Sequence, residues 1–209
     1  MMLFISLNMA WIPLAAYLLG SIPFGLLIAR LRGRGDIREA GSGNIGAANV
    51  TRVVGVGAGV LTLLLDSAKG FLAVWLASRF TGGNVTWMTI AGVAAILGHL
   101  FPVWLRFRGG RGVATAAGVF LLICPQAVAG AIVLWILVVA FWRYVSLGSI
   151  AAAAALPLFT YLLWAPGHAP PLAVSAGVLV AAALIIWKHR PNIERLLAGT
   201  ESKLTLGRK

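Results

Sequence analysis

Residues 112–142 read G-V-A-T-A-A-G-V-F-L-L-I-C-P-Q-A-V-A-G-A-I-V-L-W-I-L-V-V-A-F-W, and they decide how often the chain crosses a membrane. A single helix here would put Arg143 and the basic C-terminal tail on the side opposite to the other basic clusters. Two helices with a turn at 124–126 keep all basic clusters on one side. Residues 112–124 would then form a helix of only about 20 Å, against a hydrocarbon core of about 30 Å. We therefore expect a short span with local thinning or a vestibule.

Composition identifies the chain as an integral membrane protein. Of its 209 residues, 60% are hydrophobic and 11% are charged, and the mean hydropathy is +0.95. Soluble domains are usually about 45–50% apolar and about 25% charged. Apolar runs bounded by Gly, Pro or Arg clusters predict an all-α bundle of about seven transmembrane helices, some of them short. The predicted spans are 9–30, 53–78, 85–105, 112–124, 127–142, 150–164 and 171–188.

The net charge of +12 is distributed unevenly along the chain, and the distribution predicts the topology. Basic residues follow the first, third, fifth and seventh predicted spans, whereas the loops 81–84 and 165–171 contain no Lys or Arg. By the positive-inside rule, the N-terminus is outside and the C-terminus is cytoplasmic. We expect a single transmembrane domain over 1–209. Its cytoplasmic motif segments are 41–52, 99–115, 143–149 and 189–201.

The first motif segment, G-S-G-N-I-G-A-A-N-V-T-R (41–52), has glycines at alternating positions. Glycine accepts left-handed backbone conformations, so successive N–H groups can converge on an anion, especially before a helix N-terminus. A flexible turn with asparagine caps, or close helix packing, would explain the same residues. The candidate anion ligands are Gly41, Ser42, Gly43, Asn44, Gly46, Asn49 and Arg52.

The second motif segment, R-F-R-G-G-R-G (106–112), places three arginines around a double glycine. Guanidinium forks together with bare backbone amides suit phosphate oxygens, which Arg binds two at a time. A positive-inside signal at the end of a span would account for the charges but not for the interleaved glycines. The candidates are Arg108, Gly109, Gly110 and Arg111. His99 is expected to orient this segment through a hydrogen bond.

Two further segments add polar groups on the same side. Ser146 and Ser149 are three residues apart and share a helix face if the helix has begun, although either could instead cap the next span. His189 could be a substrate ligand, a proton carrier or an interfacial histidine. Asn192 follows it at the start of a predicted amphipathic helix along the membrane, with Pro191 in the first turn.

One pair of charges lies inside the second predicted span. Asp66 and Lys69 are one helical turn apart, and charges at that depth are costly unless they are paired or functional. We expect a structural ion pair. Cys124 is the only cysteine, and the sequence shows no cluster of metal ligands, so we expect neither a metal ion nor a cofactor.

The motifs together resemble a known family. G-S-G-N-I-G-A-A-N-V-T-R, then G-H-L-F-P-V-W-L-R-F-R-G-G-R-G-V-A-T, then H-R-P-N-I-E-R-L-L-A-G-T-E are similar to the three signature regions of the bacterial membrane glycerol-3-phosphate acyltransferases that use acyl phosphate. The resemblance implies a seven-helix bundle with a cytoplasmic active site. It also implies transfer of a fatty acyl group to the 1-hydroxyl of glycerol 3-phosphate, giving lysophosphatidic acid and phosphate. Ala48 stands where the family commonly has Thr, and Arg108 and Arg111 stand where Lys is usual.

The implied reaction suits the residue types. Acyl phosphate is an activated mixed anhydride, so we expect direct attack by the glycerol hydroxyl without an acyl-enzyme, helped by positioning and electrostatic stabilisation. Ser42, Asn44 and the amides around Gly43 and Gly46 are expected to hold one phosphate. Arg52, Arg108 and Arg111 are expected to neutralise both phosphates. Asn49, Ser146 or Ser149, His189 and Asn192 are expected to position the hydroxyls, with His189 as the best candidate for proton acceptor.

The resulting hypothesis is a multi-pass monomer of the bacterial inner membrane. Its partners would be acyl phosphate, glycerol 3-phosphate and membrane lipids, with no nucleic acid, and its motifs would share one pocket at the inner leaflet. The leading alternative is a transporter of an anionic phosphorylated metabolite. Transport needs access from both sides and commonly uses internal repeats, and the sequence shows no convincing repeat. Another alternative is a related transferase with a thioester donor.

Overall fold

The computed structural model describes residues 9–164 and 168–204, and within these ranges the regular secondary structure is helical. The expected all-α fold is therefore confirmed. The chain divides into two compact units, Met1–Ile123 and Cys124–Lys209. Part of the predicted outer loop 165–171, and the predicted cytoplasmic residues Arg208 and Lys209, lie outside the described residues.

The first unit is organised around one long helix. This helix, α4, packs against each of the other five α-helices that the structure describes in this unit. The helices are α1 (Trp11–Gly20), α2 (Phe24–Leu31), α3 (Ala47–Val53), α4 (Val56–Thr81), α5 (Val85–Leu100) and α6 (Val113–Ile123), with short 3₁₀ turns at Ile37–Glu39 and Val103–Leu105.

The first predicted span is broken between α1 and α2. Pro23 has no N–H group to donate to the preceding turn, and it disfavours helical backbone at Ile22. The Ser21 hydroxyl donates to the Tyr17 carbonyl at 2.8 Å and closes the end of α1. The break leaves the Ile22 carbonyl available to a side chain from α4.

That side chain belongs to the buried ion pair of α4. Lys69 Nζ lies 2.7 Å from Asp66 Oδ1, and both side chains are almost fully buried, as the sequence predicts. Lys69 Nζ also donates to the Ile22 carbonyl at 2.8 Å, and His99 Nδ1 of α5 lies 3.6 Å from Asp66 Oδ1. The pair therefore connects α4 to the α1–α2 break and to the end of α5.

Small residues let α4 and α6 approach closely. A Cβ atom at Gly70 would overlap the Thr115 carbonyl, and one at Gly118 would overlap the Ser67 carbonyl. Between helices surrounded by lipid, association depends on van der Waals packing, which such close crossings increase.

In the second unit, α8 packs against both α7 and α9. The helices are α7 (Pro125–Trp142), α8 (Val145–Leu163), α9 (Leu172–Lys188) and α10 (Arg190–Leu197). Helix α8 begins five residues before the predicted start at 150, because the polar residues Ser146 and Ser149 lie inside the helix rather than in a preceding loop. Neither serine is the N-cap, which is Tyr144.

Among residues 9–164 and 168–204, five segments are long and apolar enough to cross a membrane. They are Trp11–Leu31, Val56–Thr81, Val85–Leu105, Pro125–Trp142 and Val145–Leu163. Helices α9 and α10, bent by 54° at their junction, can form a sixth span. The predicted short span at 112–124 corresponds to α6, which has only 11 residues. The crossing of α6 and the orientation of the termini stay predictions.

Replacing Asp66 tests the buried ion pair. In Asp66→Asn, Lys69 keeps its charge in an apolar interior, and breaking a buried pair usually costs about 3–5 kcal/mol. We expect thermal unfolding in detergent to show a Tm lower by roughly 10 °C. Ser67→Ala, a neighbouring change on α4, is the matched control. Equal Tm values for the two variants would show that the pair contributes nothing to stability.

Candidate functional site

A single buried side chain organises the 41–52 segment. Asn49 is only 1% exposed. Its Nδ2 group donates to the carbonyls of Ile37, Ala40 and Asn44 at 2.9–3.1 Å, and its Oδ1 accepts from the Ser42 amide at 2.8 Å. Both ends of the amide are already used. Asn49 therefore shapes the segment, and the predicted role of positioning a substrate hydroxyl does not fit.

The glycine amides of this segment are also used internally. Gly41 and Gly43 adopt the expected left-handed conformation, with φ of 61° and 68°, whereas Gly46 is extended at −80°. The Gly43 amide donates to the Ala40 carbonyl, and the Gly46 amide donates to Asn44 Oδ1. Both amides are therefore engaged within the loop in this structure, and phosphate binding by them stays a prediction. The glycines allow the loop its shape.

Two polar side chains of the segment keep capacity for a ligand. The Ser42 hydroxyl is half-buried and makes no hydrogen bond to another described residue. Arg52 lies in the last turn of α3, is exposed, and makes no ion pair within the described part of the chain. Ser42 is the better supported of the two small polar candidates, because Asn44 Oδ1 already accepts a hydrogen bond.

The double glycine of the 106–112 segment packs against His99. The amides of Gly109 and Gly110 donate to the carbonyls of Leu100 and His99, so they are not the bare donors that the sequence predicts. A Cβ atom at Gly110 would fall on the His99 ring. His99 contacts this segment through its ring and its backbone carbonyl, and its role in orienting the segment stays a prediction.

The charges of the 106–112 segment follow a strained turn. Arg106 and Phe107 have φ of 52° and 63°, a left-handed conformation that side chains with a Cβ rarely adopt. Arg108 comes directly after them, is exposed, and forms no ion pair with another described residue. Arg111 is half-buried and has partners. Nothing in the local sequence signals the strain at 106–107.

In the second unit, the polar residues converge on Glu201, which the sequence analysis missed. Glu201 Oε1 accepts from the Ser146 hydroxyl at 2.6 Å and from Asn192 Nδ2 at 2.7 Å, and Oε2 accepts from Arg195 Nε at 2.7 Å. Burial raises the pKa of this carboxyl, but the three hydrogen bonds outweigh it and hold the pKa below its usual range. Glu201 is one of only five acidic residues, a signal that could have marked it as the partner of basic or hydroxyl groups.

Asn192 has an unused acceptor. Its side chain is almost fully buried, and because a carboxylate only accepts, Nδ2 must face Glu201. The opposite atom, Oδ1, is buried and receives no hydrogen bond from another described residue. Buried polar atoms are normally paired, so this oxygen is suited to a donor from a ligand or a water molecule.

His189 lies at the junction of α9 and α10 and is 2% exposed. Its Nδ1 is 2.8 Å from the Ile185 carbonyl, and a carbonyl can only accept, so Nδ1 carries a proton. In the neutral imidazole the lone pair is then on Nε2. This tautomer can accept a proton at Nε2.

The two serines of the 143–149 segment have different hydrogen-bond partners. Ser146 joins the Glu201 cluster, whereas the Ser149 hydroxyl donates to the Val145 carbonyl and accepts from Trp135 Nε1 of α7. Ser149 therefore supports helix packing, and its predicted contact with a substrate does not fit. Three apart on α8, the serines share a face as expected, but only Ser146 meets the other polar candidates.

An open apolar pocket lies in the first unit. It has a volume of about 620 Å³ and lies between α1, α2, α4 and α6; its lining includes Leu19, Phe24, Leu64, Leu72 and Leu121. No group of three or more His, Cys, Asp or Glu side chains in 9–164 and 168–204 is arranged to hold a metal ion.

Comparisons with known proteins agree with these features. The family model described as glycerol-3-phosphate acyltransferase matches residues 10–199. A glycerol-3-phosphate acyltransferase of Trichlorobacter lovleyi is 54% identical over 92% of this chain and 95% of its own, and that of Geobacter sulfurreducens is 50% identical over 94% and 98%.

Two solved structures are similar over nearly the whole chain. A crystal structure of PlsY (YgiH), an integral membrane glycerol 3-phosphate acyltransferase, in its glycerol 3-phosphate form is 42% identical. It has a TM-score of 0.87 and covers 95% of this chain and 96% of its own. The lysophosphatidic acid form of PlsY is 41% identical with a TM-score of 0.84, at the same coverage.

Replacing Asn49 tests its organising role. Asn49→Ala removes the acceptor of the Ser42 amide and the Nδ2 group that donates to three loop carbonyls, so we expect hydrogen exchange in peptides covering 40–46 to be about tenfold faster or more. Peptides from α4 should be unchanged. Ala48→Ser, on the exposed face of α3, is the matched control. Unchanged exchange in Asn49→Ala would mean that other contacts hold the loop.

Proposed function

Because this chain belongs to the glycerol-3-phosphate acyltransferase family, we propose that it uses acyl phosphate as donor and the 1-hydroxyl of glycerol 3-phosphate as acceptor. The products would be lysophosphatidic acid and inorganic phosphate. In the reaction, a hydroxyl oxygen of glycerol 3-phosphate bonds to the acyl carbon, the carbonyl–phosphate bond breaks, and the hydroxyl proton leaves. Acyl transfer to glycerol 3-phosphate is the activity by which the family is named, and a neighbouring structure is the lysophosphatidic acid form of PlsY.

The observation that carries the choice of donor is that an exposed arginine lies beside each of the two glycine-containing segments of the first unit. Arg52 and Arg108 are exposed and form no ion pair with the described residues, and each borders a glycine-containing segment of defined shape. Both substrates of the proposed reaction carry a phosphate, and guanidinium forks bind two phosphate oxygens at once. A phosphate-bearing donor gives both arginines a ligand. Arg111 and the Ser42 hydroxyl would add to phosphate binding.

The hydrogen bonding of Glu201 supports direct attack on the donor. The Ser146 hydroxyl donates to this carboxylate, and a carboxyl with a lowered pKa is a weak base. Ser146 is therefore poorly activated as a nucleophile, and acyl phosphate is electrophilic enough to react without an acyl-enzyme. We assign to Ser146 the orientation of substrate hydroxyls rather than covalent catalysis.

Two residues of the second unit suit the acceptor hydroxyl. The buried Asn192 Oδ1 can accept a hydrogen bond from glycerol, and His189 Nε2 can take the proton that leaves the attacking oxygen. General-base help of this kind is usually worth about 10²–10⁴-fold. Positioning and electrostatic stabilisation by the arginines supply the larger part.

The acyl chain would occupy the apolar pocket of the first unit. Phe24 lines this pocket, and the next residue, Gly25, packs so closely on the Ile45 carbonyl that a Cβ atom there would overlap it. The pocket thus begins beside the glycine-rich segment. A chain dissolved in the bilayer could enter it laterally, while glycerol 3-phosphate would come from water. We place the reaction at the cytoplasmic face of the bacterial inner membrane, on the positive-inside distribution of Lys and Arg.

A donor comparison tests the proposed function. Purified protein is mixed with glycerol 3-phosphate and either acyl phosphate, acyl-CoA or acyl carrier protein, and lysophosphatidic acid is measured. We expect product with acyl phosphate and release of one phosphate per acyl group transferred. Product with a thioester donor alone would overturn the choice of donor, and no product with any donor would overturn the proposed activity.

Replacing Arg52 and Arg108 tests the proposed phosphate binding. Arg52→Ala and Arg108→Ala should each lower kcat/KM by about 10- to 100-fold, because a charge-assisted hydrogen bond is worth about 1.5–3 kcal/mol. The matched control is Arg79→Ala, which removes an exposed arginine at the other end of α4. Lysine variants should recover part of the loss, since they keep charge but not the fork. If the two alanine variants match Arg79→Ala, the phosphates bind elsewhere.

A further inference from the structure

The end of the described chain runs beside the start of α8 in a regular antiparallel register. We define residues 200–204 as the C-terminal strap. Its Leu204 pairs with Arg143, Lys203 Nζ lies 5.6 Å from the centre of the Tyr144 ring, and Glu201 bonds Ser146. These three contacts run in opposite directions along the two segments. The strap therefore lies along the turn between α7 and α8 at Glu201, Lys203 and Leu204.

Arg143 holds the C-terminal end of the strap through hydrogen bonds to Leu204. Its carbonyl accepts from the Leu204 amide at 2.6 Å, and its Nε and Nη2 groups both donate to the Leu204 carbonyl, at 3.1 and 2.9 Å. One residue thus satisfies both backbone groups of Leu204. Arg143 has a φ of 64°, a left-handed conformation that favours glycine, so an arginine at this position is strained.

The N-terminal end of the strap is held by hydrogen bonds to Arg195. The amides of Thr200 and Glu201 both donate to the Arg195 carbonyl at the end of α10, at 2.8 and 3.1 Å. Arg195 Nε also donates to Glu201 Oε2. Glu201 is therefore fixed from both directions, by α10 on one side and by the Arg143–Leu204 contact on the other.

We propose that Arg143 is a positioning residue for acyl transfer, acting through Leu204 and Glu201 on Ser146 and Asn192. Glu201 Oε1 is the common acceptor of Ser146 and Asn192, so the position of the carboxylate sets the direction of both side chains. Because Nδ2 is held by Glu201, Asn192 Oδ1 is the atom left to accept a hydrogen bond from another donor. Without the contact at Leu204 the strap pivots about Arg195, and the three polar groups lose their mutual alignment. The proposal rests on the proposed function.

The site chemistry predicts which kinetic constant changes. Ser146 and Asn192 are assigned to the hydroxyls of glycerol 3-phosphate, whereas the donor phosphate is assigned to arginines of the first unit. Loss of the Arg143–Leu204 contact should therefore raise the KM for glycerol 3-phosphate, with the KM for acyl phosphate unchanged. Unfolding of part of the sample would instead lower kcat and leave both KM values unchanged.

The test uses two variants that remove the contact in different ways. Arg143→Gly deletes the guanidinium and relieves the left-handed strain, so the fold should persist. Leu204→Pro deletes the amide that donates to Arg143, and Leu204→Ala, which keeps both backbone groups, is its matched control. We expect Arg143→Gly and Leu204→Pro to raise the KM for glycerol 3-phosphate about 10- to 100-fold, since a shift of about 1 Å in a positioned group can cost about 100-fold. Leu204→Ala should differ little from the parent protein.

A double variant separates positioning from a general structural role. If Arg143 acts through Glu201, adding Arg143→Gly to Glu201→Gln should cause no further rise in the KM. An additive rise, or a KM for glycerol 3-phosphate unchanged in both Arg143→Gly and Leu204→Pro, would overturn the proposal. A parent protein inactive with every donor would overturn the proposed function instead. If only a thioester donor works, the same KM comparison is made with that donor.

Discussion

A polar group that is removed from water needs a hydrogen-bond partner, and two side chains meet this need in the motif segments of the protein. Asn49 pairs with four backbone groups of the 37–49 loop, and Glu201 pairs with three side chains in the second unit. Each connects groups that are distant in sequence. The shapes of the glycine-rich loop and of the Ser146–Asn192 cluster depend on them.

Because backbone amides need partners within the protein, the glycines have a structural role besides the one that the sequence predicts. In a soluble phosphate-binding loop, glycine amides often point at the ligand. Here the amides of Gly43, Gly46, Gly109 and Gly110 are all donated to other parts of the protein, so the glycines allow close approach and unusual backbone angles. The arginines and hydroxyls at the edges of these turns are what remain for a ligand. If these segments bind phosphate as proposed, charge would supply most of the binding.

The buried Asp66–Lys69 pair shows the same need for a partner, here between charged groups in the apolar interior. Asp66 contacts Lys69 and lies near His99, and the His99 ring supports Gly110 immediately before Arg111. A charge cluster that stabilises helix packing thus also underlies a candidate substrate segment. Membership of the acyltransferase family, established over residues 10–199, favours this enzymatic interpretation over a transporter of a phosphorylated metabolite.

The sequence alone determined the all-α membrane class, the positions of most helices, the Asp66–Lys69 pair and the family, because these depend on composition, short periodic spacing and contiguous motifs. It offered no reason to prefer Ser146 over Ser149 as a site residue, and it did not identify Glu201 as a candidate. Only the tertiary structure separated them, since Ser146 meets a carboxylate 55 positions later in the chain while Ser149 packs on α7. Hydrogen-bond partners so far apart leave no local pattern. For Asn49 the reason is different: its partners are backbone groups 5 to 12 residues away, and residue types do not reveal which backbone groups a side chain will meet.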